Sequence, residues 1–89
     1  IMFYNYIIES TKNGEIYSGY TEDLQKRLKE HNQGLNISTK RYRPWKCIYY
    51  EACLNKEDAI RREKYIKTTQ GNRLIKARLK QYFYSSRNI

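Results

Sequence analysis

The stretch from Tyr17 to His31 most limits the folds open to this chain. It begins with Tyr-Ser-Gly-Tyr-Thr, which is typical of a strand that ends in a tight glycine turn, and Thr21 is a favoured helix N-cap. Two acidic residues follow, where the helix dipole stabilises negative charge. Leu24 and Leu28 lie one helical turn apart, which predicts an amphipathic helix with these side chains toward the core. The stretch predicts a strand–turn–helix unit.

A β-hairpin is predicted to contain the first part of this unit. Residues 3–9 are rich in aromatic and β-branched side chains, as strands are. The pair Asn13-Gly14 favours a type I′ turn, in which both central residues need positive φ. Residues 16–20 then form the second, antiparallel strand.

The rest of the chain predicts one more strand and two more helices. Gly34 ends the first helix, and residues 33–44 form a loop long enough to be functional. Residues 45–51 are the third strand. Asn55 caps a second helix from Lys56 to about Thr68, residues 69–71 interrupt it, and Asn72 caps a third helix.

The element order β-β-α-β-α-α predicts an α/β fold of the α+β kind, with a small three-stranded mixed sheet flanked by helices. A chain of 89 residues is expected to form one domain, 1–89. Its core spans about residues 3–80, and residues 82–89 are a tail that extends the last helix or frays. The start at Ile1, where a methionine is usual, suggests that the chain was cut from something larger.

The charge is concentrated in one part of the chain. Residues 1–36 carry four basic and five acidic side chains, whereas residues 37–89 carry fourteen basic and four acidic ones. A one-sided basic excess favours a polyanionic partner, most often the phosphate backbone of a nucleic acid. The alternative is that the charge serves solubility only.

Several protein classes are not favoured. No apolar run is long enough to span a bilayer, and the N-terminus lacks a signal-peptide pattern. Cys47 and Cys53 form neither a disulfide framework nor a metal-binding pattern. A reduced, cytoplasmic protein without a membrane partner is predicted, and its oligomeric state is left open.

The residues resemble the GIY-YIG endonuclease family, over roughly residues 3–80. The matching elements are a tyrosine motif on each of the first two strands, an arginine and a histidine on the first helix, and a glutamate on the second: Tyr4-Asn5-Tyr6, Tyr17-Ser18-Gly19, Arg27, His31 and Glu63. The resemblance is strongest to compact stand-alone bacterial members. They share the strand from Trp45 to Glu51 and the helix from Ala59 to Lys67, and the fold is similar to the nuclease domain of the excision-repair incision subunit.

The resemblance implies a metal-dependent endonuclease that hydrolyses DNA phosphodiester bonds with one Mg²⁺ or Mn²⁺, in DNA repair, recombination or processing. Glu63 matches the metal-binding glutamate, although an exposed pair with Lys67 explains it equally simply. Arg27 matches the motif arginine, which binds phosphate and stabilises transition-state charge. The alternative for Arg27 is an ordinary exposed helix cation.

Three aromatic side chains complete the implied site. Tyr17 matches the tyrosine proposed as general base, although an unperturbed phenol, with a pKa of about 10, is a weak base at neutral pH. Tyr6 matches the first motif tyrosine, and His31 assists proton transfer or contacts phosphate. Each has a structural alternative: core packing for the two tyrosines, and a helix-dipole contact for His31. Gly19 is expected to let the backbone turn from strand into helix.

A basic stripe is predicted to contact DNA phosphates, and such contacts carry no sequence information. Its members are Lys40, Arg41, Arg43, Arg61, Arg62, Lys67 and Arg73. Cleavage is therefore expected to be nonspecific or biased by DNA structure. The alternative function is a noncatalytic nucleic-acid-binding module that retains the fold, and a protein-interaction domain is a third.

Overall fold

The computed structural model describes residues 1–87. Three strands and four α-helices follow one another there, with one short 3₁₀ helix at Lys40–Tyr42. The elements are β1 (Phe3–Ser10), β2 (Ile16–Thr21), α1 (Leu24–Gln33), β3 (Trp45–Cys53), α2 (Lys56–Ile66), α3 (Thr69–Arg78) and α4 (Lys80–Arg87). None of the helices in this part of the chain is long and apolar enough to cross a membrane.

The α+β class is confirmed, but the prediction of a mixed sheet is wrong. The strand order is β2-β1-β3, and β1 is antiparallel to both neighbours. The crossover through α1 makes β2 and β3 parallel to each other, as a βαβ connection does. Because β1 lies between them, no parallel pair forms.

One face of the sheet packs against α1. Tyr6 and Ile8 of β1 form a buried cluster with Trp45 of β3, and Leu24 and Leu28 of α1 pack against it. This confirms the inward placement of the two leucines. Burial of apolar surface at about 25 cal/mol per Å² holds α1 in place.

The opposite face packs against α2 and α3. Alternate strand residues point to opposite faces, so Ile7 lies on this side and clusters with Ile66 and Ile75. Asn5 also lies here, and its Nδ2 donates to the carbonyl oxygen of Ala59 at 3.0 Å. The sheet therefore separates α1 from α2.

Helix α1 begins later than predicted. Thr21 is still part of β2, and its hydroxyl oxygen accepts from the backbone N–H of Asp23 at 3.1 Å. Asp23 is the N-cap, since its carboxylate accepts from the N–H of Lys26. The choice of Thr21 as cap was therefore wrong, because two polar residues in succession offered the same chemistry. Gly34 ends the helix in the left-handed region, with φ of 81°, as predicted.

The hairpin turn is not of type I′. Gly14 has φ of 77°, but Asn13 is outside the positive-φ region that a type I′ turn requires of both residues. Its side chain instead accepts from the N–H of Glu15 at 3.0 Å. The loop closes with the N–H of Gly14 donating to the carbonyl of Ser10 at 2.9 Å.

The junction between α2 and α3 is shorter than predicted. Asn55 caps α2 as expected, but Thr68 caps α3, so Asn72 lies inside the helix and residues 69–71 do not interrupt the chain. Gly71 explains the difference. A Cβ on this residue would come within 2.6 Å of the carbonyl carbon of Tyr65, so glycine lets the two helices approach closely.

The tail forms a fourth helix, α4, rather than a simple extension of α3. Leu79 separates the two helices. Tyr82 of α4 donates a short hydrogen bond to the carboxylate of Glu9, which is only 6% exposed, and the Lys46 ammonium lies 5.5 Å from the Tyr82 ring centroid. These contacts dock α4 on the hairpin end of the sheet. The prediction for residues 88–89 lies outside the described residues.

Candidate active site

Two tyrosines and the histidine of the predicted site meet on the α1 face of the sheet, near its β2 edge. Tyr6 lies on β1, Tyr17 on β2 and His31 in the last turn of α1. The Tyr17 and His31 rings make an edge contact with their centroids 5.3 Å apart, and the Tyr6 ring lies 5.7 Å from His31. The strand register and the inward face of α1 together produce this cluster.

Gly19 makes room for Tyr6, and this differs from its expected role. It lies within β2, opposite Tyr6 in the strand register, and its φ is not positive. A Cβ on Gly19 would lie 2.6 Å from Cζ of Tyr6. The absence of a side chain therefore lets the Tyr6 ring cross over β2 toward α1, and no backbone turn is involved.

A buried hydrogen-bond chain runs from Tyr6 through His31 to Thr39. The Tyr6 hydroxyl lies 2.7 Å from Nε2 of His31, and Nδ1 of His31 lies 2.7 Å from Oγ1 of Thr39. Tyr6 is 1% exposed, and His31 and Thr39 are fully buried. The chain ends at the carbonyl oxygen of Asn36, 3.5 Å from the threonine hydroxyl.

Donor counting assigns the direction of this chain. If Nε2 of His31 carried the proton, the buried Tyr6 hydroxyl would have no acceptor among the described residues. With the proton on Nδ1, Tyr6 donates to Nε2, His31 donates to Thr39, and Thr39 donates to the Asn36 carbonyl. Every donor is then used, which is the rule for buried polar groups.

Burial keeps both members of the first pair in their neutral forms. Desolvation, followed by the proximity of Tyr17, raises the pKa of Tyr6 to about 12, and the charge of Arg27 offsets part of this. Desolvation lowers the pKa of His31 below its usual 6.5, and the positive charge of Arg27 acts in the same direction. A neutral imidazole that accepts from a neutral phenol is therefore the resting state.

Arg27 and Glu63 approach this cluster from different layers. Arg27 lies one turn before His31 on α1, and Lys67, the ion-pair partner of Glu63, lies beside the Tyr17 ring, so both helices bring a charged group toward this end of the sheet. Arg27 is partly exposed and its Nε lies 3.2 Å from the carboxylate of Glu30. Asp23, an alternative partner on the same helix, caps α1 instead.

Glu63 pairs with Lys67 one turn later on α2. Oε2 of Glu63 lies 3.4 Å from the Lys67 ammonium, which also lies 5.5 Å from the centroid of the Tyr17 ring. The glutamate side chain is 24% exposed, and Lys67 is its one ion-pair partner in the described part of the chain. Lys67 thus links α2 to the tyrosine cluster around the β2 edge.

The donor set at Glu63 fits a hard divalent cation held mainly by water and substrate. Mg²⁺ commonly takes one or two carboxylates, keeps several waters and binds substrate phosphate. Residues 1–87 contain no cluster of three or more His, Cys, Asp or Glu side chains that would hold a metal by protein ligands alone. A single partly exposed carboxylate is compatible with Mg²⁺ or Mn²⁺, and incompatible with a closed zinc site.

The predicted DNA-contacting residues do not form one continuous stripe. Nε of Arg62 pairs with Oε1 of Glu51 on β3 at 2.7 Å, so this side chain is turned away from the β2 edge where Tyr6, Tyr17 and His31 meet. Arg61 pairs with Asp58 at 2.8 Å in an exposed position. Lys67 lies at the cluster itself. Four others are exposed: Lys40, Arg41, Arg43 and Arg73.

Two aromatic residues near the basic loop have structural roles. Trp45 is 5% exposed and its Nε1 donates to the carbonyl of Thr39 at 2.7 Å, so it is a core residue. Tyr42 is half-buried and packs against the buried cluster of Tyr6, Ile8 and Trp45. The guanidinium of Arg41 lies 5.8 Å from the Tyr42 ring centroid.

Thr39 belongs to the site although it lies in the loop of residues 33–44, where the sequence pattern indicates only basic, exposed side chains. Its hydroxyl contacts His31, and its carbonyl oxygen accepts from Trp45, so it fastens the loop to the site. The sequence held no clear signal for this role, because Ser38 and Thr39 are adjacent and only one of them is buried.

Comparison with known proteins gives a consistent result. Residues 2–76 match the model of the GIY-YIG catalytic domain. The chain is 38% identical over 74 residues to a UPF0213 protein of Staphylococcus saprophyticus, covering 82% of this chain and 89% of that protein. It is 40% identical over 75 residues to one of Clostridium perfringens, covering 83% and 80%. A solution NMR structure of a UPF0213 protein from Bacillus halodurans is similar, with a TM-score of 0.54 and 30% identity over 86% of this chain and 84% of that one.

Proposed function

Because the chain belongs to the GIY-YIG catalytic domain family, we propose that it is a metal-dependent endonuclease that hydrolyses phosphodiester bonds in DNA. The observation that carries the proposal is the convergence of the motif side chains at the β2 edge. His31 contacts both Tyr6 and Tyr17, and the charges of Arg27 and Glu63 both act on Tyr6. Metal-assisted hydrolysis of a phosphodiester uses a ligand for the ion, a cation for the phosphate and a group that transfers protons, and we propose these side chains for those roles.

Glu63 is the proposed ligand of the metal, Mg²⁺ or Mn²⁺. When bound, such an ion polarises the scissile phosphate and stabilises the leaving oxygen. The Glu63 carboxylate is partly exposed, and in the described part of the chain its one ion-pair partner is Lys67. Lys67, which now neutralises Oε2, is then available to a phosphate oxygen of the substrate.

Arg27 is proposed to bind the substrate phosphate. Its guanidinium is partly exposed and pairs with Glu30 only at the surface, where such pairs contribute little. A fork of N–H donors matches two phosphate oxygens, and the charge it offers is worth most as negative charge builds up in the transition state. Exchange of Glu30 for phosphate therefore costs little.

Tyr6, Tyr17 and His31 have different roles in the proposed site. His31 and Tyr6 are both buried and hydrogen-bonded to each other, so neither is placed to touch the substrate. Tyr17 is partly exposed beside the charge of Lys67, and we assign it to the attacking water. The Tyr17 ring is in edge contact with His31, and we propose that the buried Tyr6–His31 pair positions this ring.

DNA is proposed to bind through phosphate contacts, without base readout. Lys40, Arg41 and Arg43 project from the loop that Thr39 fastens to the site, and Arg73 lies on α3. Contacts of this kind position the duplex and carry no sequence information. We therefore expect cleavage that is nonspecific or biased by DNA structure, and we propose a role in DNA repair or related processing.

The second candidate is a nucleic-acid-binding module without catalysis. The Glu63–Lys67 ion pair favours it, since an exposed i,i+4 pair is a common helix feature and needs no metal. This candidate predicts salt-sensitive DNA binding that does not depend on Glu63, and no cleavage with any metal.

A plasmid-nicking assay with a series of divalent metals separates the two. We expect Mg²⁺- or Mn²⁺-dependent nicking that falls at least about 100-fold in Glu63→Ala and Arg27→Ala, the scale of losing a principal electrostatic group. Glu57→Ala is the matched control, because Glu57 is an exposed carboxylate on the same helix. If wild type and Glu63→Ala both leave supercoiled DNA intact with every metal, the enzyme proposal is wrong.

A further inference from the structure

A cleft lies between the β1–β2 hairpin and the helices α3 and α4, outside the predicted active-site and DNA-contact residues except at Lys67. Its open part has a volume of about 610 Å³, and the residues that matter on its wall are Glu15, Ile16, Asn72, Lys76, Lys80 and Phe83. A narrower inner part of about 190 Å³ shares four of these and adds Lys67. The cleft thus continues inward from the molecular surface.

The wall of the cleft carries positive charge that the protein does not use. Within residues 1–87, neither Lys76 nor Lys80 forms an ion pair, and Glu15 is the one acidic residue on the wall. Asn72 and Lys76 are one turn apart on α3, about 6 Å along the axis, and Lys80 begins α4. A row of an amide and two ammonium groups suits successive phosphates of one strand.

The floor of the cleft is apolar and includes an aromatic ring. Ile16 is partly buried against the Ile7 cluster, and Phe83 is partly buried with its ring 5.3 Å from that of Tyr82. An apolar floor beside lysines suits a single strand, whose base faces are open to contact. In a duplex those faces are stacked inside, so only the phosphates would meet the cleft. Stacking on aromatic rings within a basic groove is how proteins hold single strands without reading sequence.

The inner end of the cleft meets the candidate site. Lys67 lines it, and the same ammonium lies 3.4 Å from Glu63 and 5.5 Å from the Tyr17 ring centroid. A strand that leaves the site past Lys67 therefore enters the cleft directly.

We propose that this cleft binds the single-stranded tail of a nucleic acid whose backbone is engaged at the Tyr17–Glu63 site. Lys76 and Lys80 contact its phosphates, and Phe83 supports a base. The inference rests on the proposed function for the identity of the partner, and it adds a preference for substrates that carry an unpaired tail.

Fluorescence anisotropy with labelled DNA in EDTA tests the proposal without cleavage. One probe is a blunt duplex and the other is the same duplex with an unpaired tail. We expect wild type to bind the tailed probe more tightly, and Lys76→Gln/Lys80→Gln to lose that preference. The salt dependence of binding to the tailed probe should fall by about 1.4 in log–log slope, two phosphates at about 0.7 each.

Two further variants make the result specific. Lys29→Gln/Lys56→Gln removes the same charge from exposed sites outside the cleft, so it should keep the tail preference. Phe83→Leu keeps an apolar side chain but removes the ring. It should weaken tail binding about fivefold or more with little change in the salt slope, because stacking is lost and the phosphate contacts remain.

The proposal is overturned if wild type binds both probes equally, or if Lys76→Gln/Lys80→Gln keeps the full tail preference. Its failure is distinguishable from that of the proposed function. If the protein prefers the tailed probe but nicks no DNA, the cleft proposal holds and the endonuclease proposal is wrong. If it nicks DNA with a metal but shows no preference for the tail, the endonuclease proposal holds and the cleft proposal is wrong.

Discussion

Tyr6 and His31 share a hydrogen bond of 2.7 Å in the interior of the protein, 25 residues apart in the chain. The bond joins the middle strand of the sheet to the last turn of α1, and Thr39 fixes it from the far side. Because the three side chains are buried, any change in one of them alters the state of the next.

Replacement of Thr39 by valine should destabilise the protein and disturb His31. Valine keeps the shape but leaves the Nδ1–H of His31 without an acceptor, which costs about 1–3 kcal/mol of the free energy of unfolding. Urea unfolding measures this cost. Thr39→Ser restores the hydroxyl and should recover most of it, and equal losses in the two variants would contradict the hydrogen-bond role.

The same pair predicts how stability depends on pH. The pKa of His31 is lower in the folded protein than its unfolded value of about 6.5, so below that pH the unfolded state binds more protons. The free energy of unfolding should therefore fall as the pH drops from 6.5 toward the folded pKa of His31. Above pH 6.5, the contribution of His31 should not change with pH. His31 is the only histidine, so one NMR titration curve reports the folded pKa directly.

His31→Gln is the control for this pH dependence. It should flatten the stability profile between about pH 6.5 and 5, where carboxylates contribute little. A wild-type histidine that titrates at or above 6.5 would show that the imidazole is not held neutral by burial.

Gly19→Ala should destabilise the protein through a clash with the Tyr6 ring. The new methyl group would lie 2.6 Å from Cζ of Tyr6, and overpacking of this kind costs about 1–3 kcal/mol. The cost should shrink when Tyr6→Leu is present, because the two residues are in contact and their effects are then not additive. Ser18→Ala, at the neighbouring position on β2, is the control, because it adds no atom to the side chain. If the losses in unfolding free energy from Gly19→Ala and Tyr6→Leu simply add in the double variant, the clash is contradicted.

Tyr82→Phe tests the docking of α4. The phenol donates to the buried carboxylate of Glu9, so its loss should cost about 1–3 kcal/mol in chemical denaturation. Tyr50→Phe serves for comparison, because Tyr50 is 55% exposed and its change should cost less than about 0.5 kcal/mol. Equal values for the two variants would show that α4 contributes nothing through this contact.

The sequence was informative where one residue type has one use. The hydrophobic pattern predicted all three strands and α1 and α2, and the tyrosine motifs predicted side chains that the fold does bring together. It was less informative where neighbours offer the same chemistry. Asp23 replaced Thr21 as a helix cap, and Thr68 replaced Asn72, because both choices depend on where the strand or the preceding helix stops.

Long-range packing could not be predicted from local patterns. Gly19 and Gly71 were expected to turn or break the chain, yet each lies within a regular element and admits a neighbour: the Tyr6 ring in one case, and the backbone of α2 in the other. Thr39 is a similar case, since its burial depends on where the loop crosses the end of α1.

The sheet has a further consequence for Arg27 and Glu63, which come from helices on its opposite faces. The distance between the Arg27 and Glu63 side chains therefore depends on the thickness of the sheet and on the buried residues packed on its two faces. The outer surfaces of α1 and α2 take no part in setting it. Other exposed residues of α1 and α2 can therefore be substituted, in evolution or by design, without a change in the relative position of Arg27 and Glu63.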